Sequence, residues 1–399
     1  MRAMDFDHLL SARTLATTPS GIRRVSELKA TLKDPIDLSL GQPSEPVPEA
    51  VKQAAIEAIR ADKNGYTITR GIPELQRRIR RDLHEHHGWP LDEDAYGVLV
   101  VAGTSAALVL AALATLNAGD TCVIQDPWFV LYPPLAAMCG AEAALCDTYP
   151  DFRMTAARVA PLLTPRTKFV LCCSPSNPSG VTLSQQEVYD LADLCRERRT
   201  LMISDEIYDR FAFPEGAALK PSDAGFGRAP SPATVRPGRE PWSELLLIRG
   251  FGKTYGCTGW RMGFVAGPNR LLAEMTKLNQ YNFVCAPSMA QWGCLAALDT
   301  SIDGIISTYA RRRDMVVAAL RDVCELPPPT GAFYAFPRVP ERLGLTASEF
   351  CRKAYERSVL IVPGGVFSRR DTHFRLSYAA PDATLERGLA AIADLMRGA

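Results

Sequence analysis

The sequence predicts an α/β protein whose central sheet is mostly parallel. Short apolar runs alternate along the chain with longer segments of helical periodicity, and this alternation is typical of parallel strands joined by helices. The runs are apolar throughout instead of at every second position, which indicates strands covered on both faces. Together the two observations favour a sheet with helices on either side.

Six apolar runs and the helix after the first of them define the expected large domain. The strands are expected at residues 98–101, 122–125, 168–173, 201–204, 245–248 and 262–265. The helix is expected over residues 104–117. Polar residues follow several of these strands, and open α/β sheets bind ligands at the carboxyl ends of their strands. The site is therefore expected at that edge.

The rest of the chain predicts a second, smaller unit. The pattern turns helical near residue 272, and residues 330–378 predict an α+β unit. The first forty residues lack strand periodicity and are expected to pack on it. The expected division is an N-terminal segment packing with the small domain, a large domain and a small C-terminal domain, at residues 1–45, 46–285 and 286–399.

One long segment, residues 215–242, is rich in Gly, Pro, Ala and Arg. Loops of this length inside a domain are unusual and often form lids or are disordered. This segment could cover the site or take part in an oligomer contact. The favoured expectation is that it is disordered or peripheral.

Composition argues against several classes of partner. The chain has 399 residues and a net charge of +1, so no electrostatic attraction to nucleic acid or to a membrane surface is expected. The longest apolar stretch, residues 106–116, is too short to span a bilayer, and residues 1–10 show no secretory signal. Eleven scattered cysteines, with no metal-ligand spacing, predict reduced thiols, no bound metal and a cytoplasmic location.

A lysine among small residues is the candidate catalytic group. Lys253 follows Gly252, and Arg261 comes eight positions later. Such a lysine can form a Schiff base with an aldehyde, and an arginine nearby can bind a phosphate. Pyridoxal 5'-phosphate (PLP) carries both groups. Because a lone lysine of this kind is more often a solvated surface charge, the prediction depends on further residues.

Three residues fit the ring of that cofactor. Asp205 follows the fourth strand and can pair with the pyridine nitrogen, which keeps the ring protonated and able to accept electrons. Tyr208 and Asn177 can donate to the ring hydroxyl. Taken alone, Asp205 is as easily a helix N-cap, Tyr208 a core or rim tyrosine and Asn177 part of a turn.

Four residues fit the anionic groups. Gly103, Thr104 and Ser105 open a helix directly after a strand, where backbone N–H groups can bind a phosphate. Arg375 lies in a strand-like run and can bind a substrate carboxylate. Taken alone, the first three are more often an ordinary helix cap, and a surface strand explains Arg375 equally well.

Seven motifs occur in the order typical of one family. They lie at residues 40–43, 65–75, 174–180, 205–208, 253–261, 329–334 and 374–377. On these motifs the chain, from about residue 20 to residue 378, resembles the class I/II aminotransferases, which are PLP enzymes of fold type I. The resemblance implies a large PLP-binding domain and a smaller domain formed by the N- and C-terminal segments.

The resemblance also implies roles for individual residues. Lys253 would hold PLP as a Schiff base and move the substrate proton, and Arg375 would bind the α-carboxylate with Asn177 and the Gly41 N–H. Tyr66 would reach the phosphate in a neighbouring subunit, which implies a homodimer with shared sites. The cofactor-binding residues would be Lys253, Gly103, Thr104, Ser105, Phe129, Asn177, Asp205, Tyr208, Arg261 and Tyr66.

The expected activity is transfer of an α-amino group to a 2-oxo acid, plausibly 2-oxoglutarate, by a ping-pong mechanism. A C–S or β-lyase on the same fold and, remotely, a non-catalytic sensor domain are the alternatives. Gly250 stands where many members have a phosphate-binding Ser, and Ser105 where some aspartate-type members have a Lys. An apolar lining around Ile22, Phe129 and Phe333 leaves aromatic and aliphatic substrates open.

Overall fold

The computed structural model describes residues 6–15, 17–213 and 226–398. The strands in this part of the chain are β1 (Ile36–Asp37), β2 (Gly97–Val101), β3 (Thr121–Asp126), β4 (Glu142–Asp147), β5 (Thr167–Cys173), β6 (Leu201–Asp205), β7 (Leu245–Gly250), β8 (Gly263–Gly267), β9 (Tyr334–Ala335), β10 (Val359–Leu360), β11 (Val362–Pro363) and β12 (Phe374–Ser377).

The α-helices of the same residues lie mostly around the large sheet and along the C-terminal third. They are α1 (Ala12–Leu15), α2 (Gly21–Leu28), α3 (Glu49–Arg60), α4 (Pro73–His87), α5 (Thr104–Thr115), α6 (Tyr132–Met138), α7 (Ala156–Val159), α8 (Gln185–Glu197), α9 (Phe251–Thr254), α10 (Asn269–Asn282), α11 (Ser288–Ala297), α12 (Asp303–Leu320), α13 (Ala347–Glu356) and α14 (Asp382–Arg397).

The large sheet confirms the predicted α/β class. Its strand order is β2-β8-β7-β6-β5-β3-β4. The pairs from β7 to β4 are parallel, whereas β8 runs antiparallel to both β2 and β7. The six predicted strands are present, but β4 was missed. It lies at the sheet edge, begins and ends on an acid and contains two alanines, so its half-exposed residues carry little strand signal.

The helix predicted after the first strand is α5, which places its N-terminus at the edge of the sheet. It begins at Thr104 because Gly103, at a φ of 84°, turns the chain out of β2. It is apolar on nearly every side, as expected for a helix enclosed by its neighbours, and it contacts α10, β2, β7 and β8. Its first turn is thus fixed beside the strand ends.

The N-terminal segment joins the C-terminal part of the chain through a short strand pair. Ile36 in β1 pairs in parallel with Val359 in β10. Gly388 in α14 permits close contact there, since a Cβ on it would lie 2.6 Å from Leu38 Cδ1. A second small sheet has the order β11-β12-β9. The domain boundaries at residues 45 and 285 stay a prediction.

Part of the long segment predicted at residues 215–242 is ordered. Residues 215–225 lie outside the described residues. The remainder packs on the end of α4, where Trp89 Nε1 donates to the Ala233 carbonyl at 2.6 Å and Val235 N donates to the His87 carbonyl at 2.9 Å. These hydrogen bonds attach residues 226–242 to α4, so the disordered alternative is wrong there. The peripheral alternative stays a prediction.

In residues 6–15, 17–213 and 226–398, no helix combines the length and apolar character needed to cross a membrane. All eleven cysteines are free thiols. The cytoplasmic location stays a prediction.

Candidate active site

One cavity at the carboxyl edge of the large sheet brings together eleven of the twelve predicted site residues. Its volume is ≈ 250 Å³. The predicted residues that line it are Gly41, Gly103, Thr104, Ser105, Phe129, Asn177, Asp205, Tyr208, Lys253, Arg261 and Arg375. Tyr66 is the exception: it is 88% exposed on the surface of this single chain.

Lys253 lies on α9, the short helix that follows β7. Its Nζ donates a hydrogen bond to the Gly41 carbonyl. Burial lowers the pKa of the Lys253 amine to about 8, and the positive charges of Arg375 and Arg261 add to this effect. The amine therefore loses its proton far more readily than an ordinary lysine, as a nucleophile or a general base requires.

Asp205 ends β6 and is 3% exposed. Its Oδ2 accepts a hydrogen bond from the Tyr132 hydroxyl at 2.8 Å, and its Oδ1 accepts one from Ile207 N at 3.3 Å. Burial raises the pKa of this carboxyl to about 6, and among the described residues no Lys or Arg forms an ion pair with it. A buried carboxylate of this kind fits a cationic ring nitrogen.

Arg375 in β12 is 1% exposed. Its Nη1 donates to Asn177 Oδ1 at 3.0 Å and its Nη2 to the Ser39 carbonyl at 2.6 Å. The guanidinium lies 4.6 Å from the Tyr334 ring and 4.7 Å from the Phe367 ring. Its Nε has no hydrogen-bond partner among the described residues. A buried cation with these contacts and no carboxylate suits an incoming carboxylate.

The turn from β2 into α5 has the features of a phosphate site. A Cβ on Gly103 would lie 2.5 Å from Arg261 Nη2, so only glycine admits the guanidinium here. Arg261 Nη1 donates to the Thr258 carbonyl at 3.0 Å. The guanidinium thus lies at the N-terminus of a helix, where free N–H groups and the helix dipole favour anions.

Gly250 has no side chain that could contact a phosphate, and its neighbours leave little room for one. A Cβ at this position would lie 2.4 Å from Ile207 Cδ1 and 2.9 Å from Thr104 Cγ2. Ile207 and Thr104 therefore occupy the space that the Cβ of a serine would need. The residues at the helix N-terminus and Arg261 are left to bind the anion.

Two tyrosines of the cavity were not foreseen, and one expected aromatic residue is elsewhere. Tyr132 and Tyr334 line the cavity, whereas Phe333 does not. Phe333 is fully buried and packs edge-on against Tyr208, at 5.3 Å between ring centroids. The expected apolar lining at Phe333 is thus wrong by one position, because neighbouring residues of an extended chain face opposite sides.

Comparisons with known proteins agree with this site. A family profile described as Aminotransferase class I and II matches residues 33–392. The chain is 31% identical over 397 residues to the probable aspartate aminotransferase of Methanocaldococcus jannaschii, covering 97% of this chain and 100% of that protein. It is 28% identical to aromatic-amino-acid aminotransferase 2 of Thermococcus litoralis, covering 95% and 96%.

A solved structure shows the same fold. The aspartate aminotransferase from Thermotoga maritima superposes with a TM-score of 0.88 at 28% identity, covering 97% of this chain and 100% of that one. Members of the matched family depend on PLP, act on amino acids and oxo acids, and are generally dimeric. The chain therefore belongs to the class I and II aminotransferases and is a transferase enzyme.

Proposed function

We propose that this enzyme binds PLP at Lys253 and transfers the α-amino group of an amino acid to a 2-oxo acid. One observation carries the proposal: a single cavity holds a readily deprotonated lysine, a buried carboxylate and a buried arginine, and neither of the last two has an ion-pair partner among the described residues. PLP, when bound, supplies an aldehyde for the lysine and a ring that stabilises negative charge at the substrate α-carbon.

Different residues of the cavity would contact different chemical groups of the cofactor. Asp205 would hold the ring nitrogen in its protonated form, while Tyr208 and Asn177 would donate to the ring hydroxyl. Phe129 would cover the ring face. The residues that would bind the phosphate are Gly103, Thr104, Ser105 and Arg261. The charges of Asp205 and Arg261 are opposite to those of the ring nitrogen and the phosphate that they would contact.

The substrate is held by Arg375 and exchanges a proton with Lys253. Arg375 binds the α-carboxylate by two parallel hydrogen bonds, supported by Asn177 and the Gly41 N–H. The Lys253 amine, with its pKa near 8, takes the proton from the α-carbon and can return one. The acceptor, which we propose to be 2-oxoglutarate, presents a similar carboxylate to Arg375, so both half-reactions use one site in turn.

The test is a half-reaction with the PLP-loaded enzyme and a panel of single amino acids. We expect one class of donor to convert the cofactor to its aminated form, seen by absorbance, with release of the matching 2-oxo acid. Pyruvate and ammonia from a β-substituted amino acid would indicate a lyase. A protein that shows no cofactor band after addition of PLP would overturn the assignment of Lys253.

The rate at which Lys253 captures PLP should depend steeply on pH. Only the neutral amine attacks the aldehyde, so below a pH of about 8 we expect the rate to fall about tenfold per pH unit. Below about 6 the Asp205 carboxyl also becomes protonated and no longer attracts the ring nitrogen, so affinity should fall as well. Stopped-flow absorbance with cofactor-free protein measures both. A rate that keeps rising about tenfold per pH unit well above pH 8 would contradict the lowered pKa of the amine.

The second subunit of a homodimer would complete the site. An apolar groove lined by Ile56, Ile59, Trp260 and Met289 lies beside the cavity, and Arg261 borders both. Exposed grooves of this kind mark protein interfaces. We propose that a second copy of the chain covers the groove, so that its Tyr66 reaches the phosphate held by Arg261.

Placing a charge in this groove should separate the subunits. We expect the wild-type chain to sediment as a dimer and Ile59→Glu to give monomers that bind PLP more weakly, because a buried carboxylate without a partner disfavours the interface. Leu91→Glu, at an exposed apolar residue outside the groove, is the matched control. Sedimentation velocity with PLP titration measures both effects. A dimer that survives Ile59→Glu would place the interface elsewhere.

A further inference from the structure

A buried ion pair joins the two strand ends that carry the proposed cofactor-binding groups. Arg249 in β7 donates from Nη2 to Glu206 Oε2 at 2.7 Å and from Nε to the same oxygen at 3.1 Å. Both side chains are almost fully buried. Glu206 directly follows Asp205, and Arg249 comes four residues before Lys253. The pair therefore connects the chain segments that set the positions of Asp205 and Lys253.

Further groups on α4 and beyond β6 hold Arg249 in place. Its Nη2 also donates to His87 Nε2 at 2.7 Å, and the carboxylates of Asp82 and Asp209 lie 3.7 and 3.6 Å from the guanidinium. Burial lowers the pKa of the His87 imidazole well below its usual value, and Arg249 adds to this effect. His87 is thus neutral and can accept the hydrogen bond.

Residues 226–242, the described part of the long segment, are called the insertion below. Its residues 229–235 close this network. The Ser231 hydroxyl, 1% exposed, donates to Glu206 Oε1 at 2.6 Å. Ser204 in β6 donates to the same oxygen at 2.9 Å. The Ala229 N–H donates to the Asp209 carbonyl at 2.8 Å, and Thr234 Oγ1 lies 3.0 Å from His87 Nδ1. The segment therefore touches the network at several points.

We propose that Ser231 is a positioning residue for the cofactor: by fixing Glu206, it holds the strand ends that carry Asp205 and Lys253. Without its hydroxyl, Glu206 Oε1 keeps only the Ser204 donor among the described residues. The carboxylate can then rotate away from Arg249, and the connection between the two strand ends loosens. The inference rests on the proposed function, and it gives the insertion a role in cofactor binding.

The experiment titrates cofactor-free protein with PLP and records the visible circular dichroism of the bound cofactor. We expect Ser231→Ala to raise the Kd for PLP about tenfold, the equivalent of one hydrogen bond to a charged group, and to change the visible dichroism. Ser243→Ala, whose exposed hydroxyl bonds only the Glu240 carbonyl, is the control and should leave both unchanged.

A second pair of variants tests whether Ser231 acts through Glu206. In a Glu206→Gln background, Ser231→Ala should raise the Kd by only about threefold, because a neutral acceptor forms a weaker hydrogen bond than a carboxylate. An equal effect in both backgrounds would overturn the proposal. So would an unchanged Kd and dichroism accompanied by a lower Tm, which would show a purely structural role.

Two further outcomes are distinguishable. If Ser231→Ala does not fold, Ser204→Ala removes the other donor to the same oxygen and should raise the Kd similarly; an unchanged Kd there overturns the proposal. If the wild-type protein itself shows no PLP band, the proposed function fails together with this inference. If the wild-type protein binds PLP and only the Ser231 effect is absent, the inference alone fails.

Discussion

Replacing Lys253 with alanine is expected to reduce amino transfer by about 10⁴-fold, the upper range for losing a positioned proton-transfer group. Lys253 is the lysine that lines the cavity, and the pKa of its amine is lowered to about 8 by burial and two arginines. Removing the amine removes both the group that captures the aldehyde and the base for the α-carbon proton. Steady-state rates with the best donor of the panel measure the loss.

The control for this variant is Lys277→Ala, which removes an exposed lysine that is paired with Glu274 on α10. Its rate should equal the wild-type rate. Added small amines should restore part of the lost rate in Lys253→Ala, because a soluble base can enter the space that the side chain leaves. Full turnover of Lys253→Ala without added amine would show that another group performs the proton transfer.

The sheet domain was predictable because its strands are buried on both faces and carry an uninterrupted apolar signal. The run in β7 shows this, since Leu245–Gly250 is buried at every position. The edge strand β4 has no such signal, because its exposed positions can be polar or small. The antiparallel direction of β8 was not predictable either, because direction depends on the connection between strands and not on residue type.

The candidate site was predictable where chemistry singles out a residue type. Lys253, Asp205 and Arg375 are charged residues beside or within apolar runs, and a charge there needs a partner. Tyr132 was missed because a tyrosine that donates to a buried carboxylate resembles a core tyrosine in sequence. Tyr66 is exposed in the single chain because its proposed contact lies in the other subunit.

The insertion shows a further limit of sequence reasoning. A Gly- and Pro-rich composition indicates the absence of helix and strand, and it predicts a disordered or peripheral segment. Residues 229–235 are nevertheless fixed by side-chain and backbone hydrogen bonds to distant residues such as Glu206 and His87. Long-range contacts of this kind leave no local sequence pattern. The sequence of a loop that hydrogen-bonds a buried charge therefore resembles that of a loop without such contacts.

Replacing Arg375 with methionine is expected to lower kcat/KM for amino acids by about 10³-fold. Removing one member of a buried charge pair typically costs about 2–5 kcal/mol, and the α-carboxylate would lose the guanidinium that lies between the Tyr334 and Phe367 rings. Methionine fits these two rings, so the fold should survive. Arg375→Lys should recover only part of the loss, because an ammonium cannot form the two parallel hydrogen bonds of a guanidinium.

The comparison that isolates this role pairs each amino acid with the amine that lacks its carboxylate. If Arg375 binds the carboxylate, Arg375→Met should slow the amino acid far more than the matched amine. Arg370→Met, which removes a half-exposed arginine paired with Asp147, should alter neither. Equal losses for both substrates in Arg375→Met would mean that Arg375 supports the cavity through Asn177 and Ser39 and does not contact the substrate.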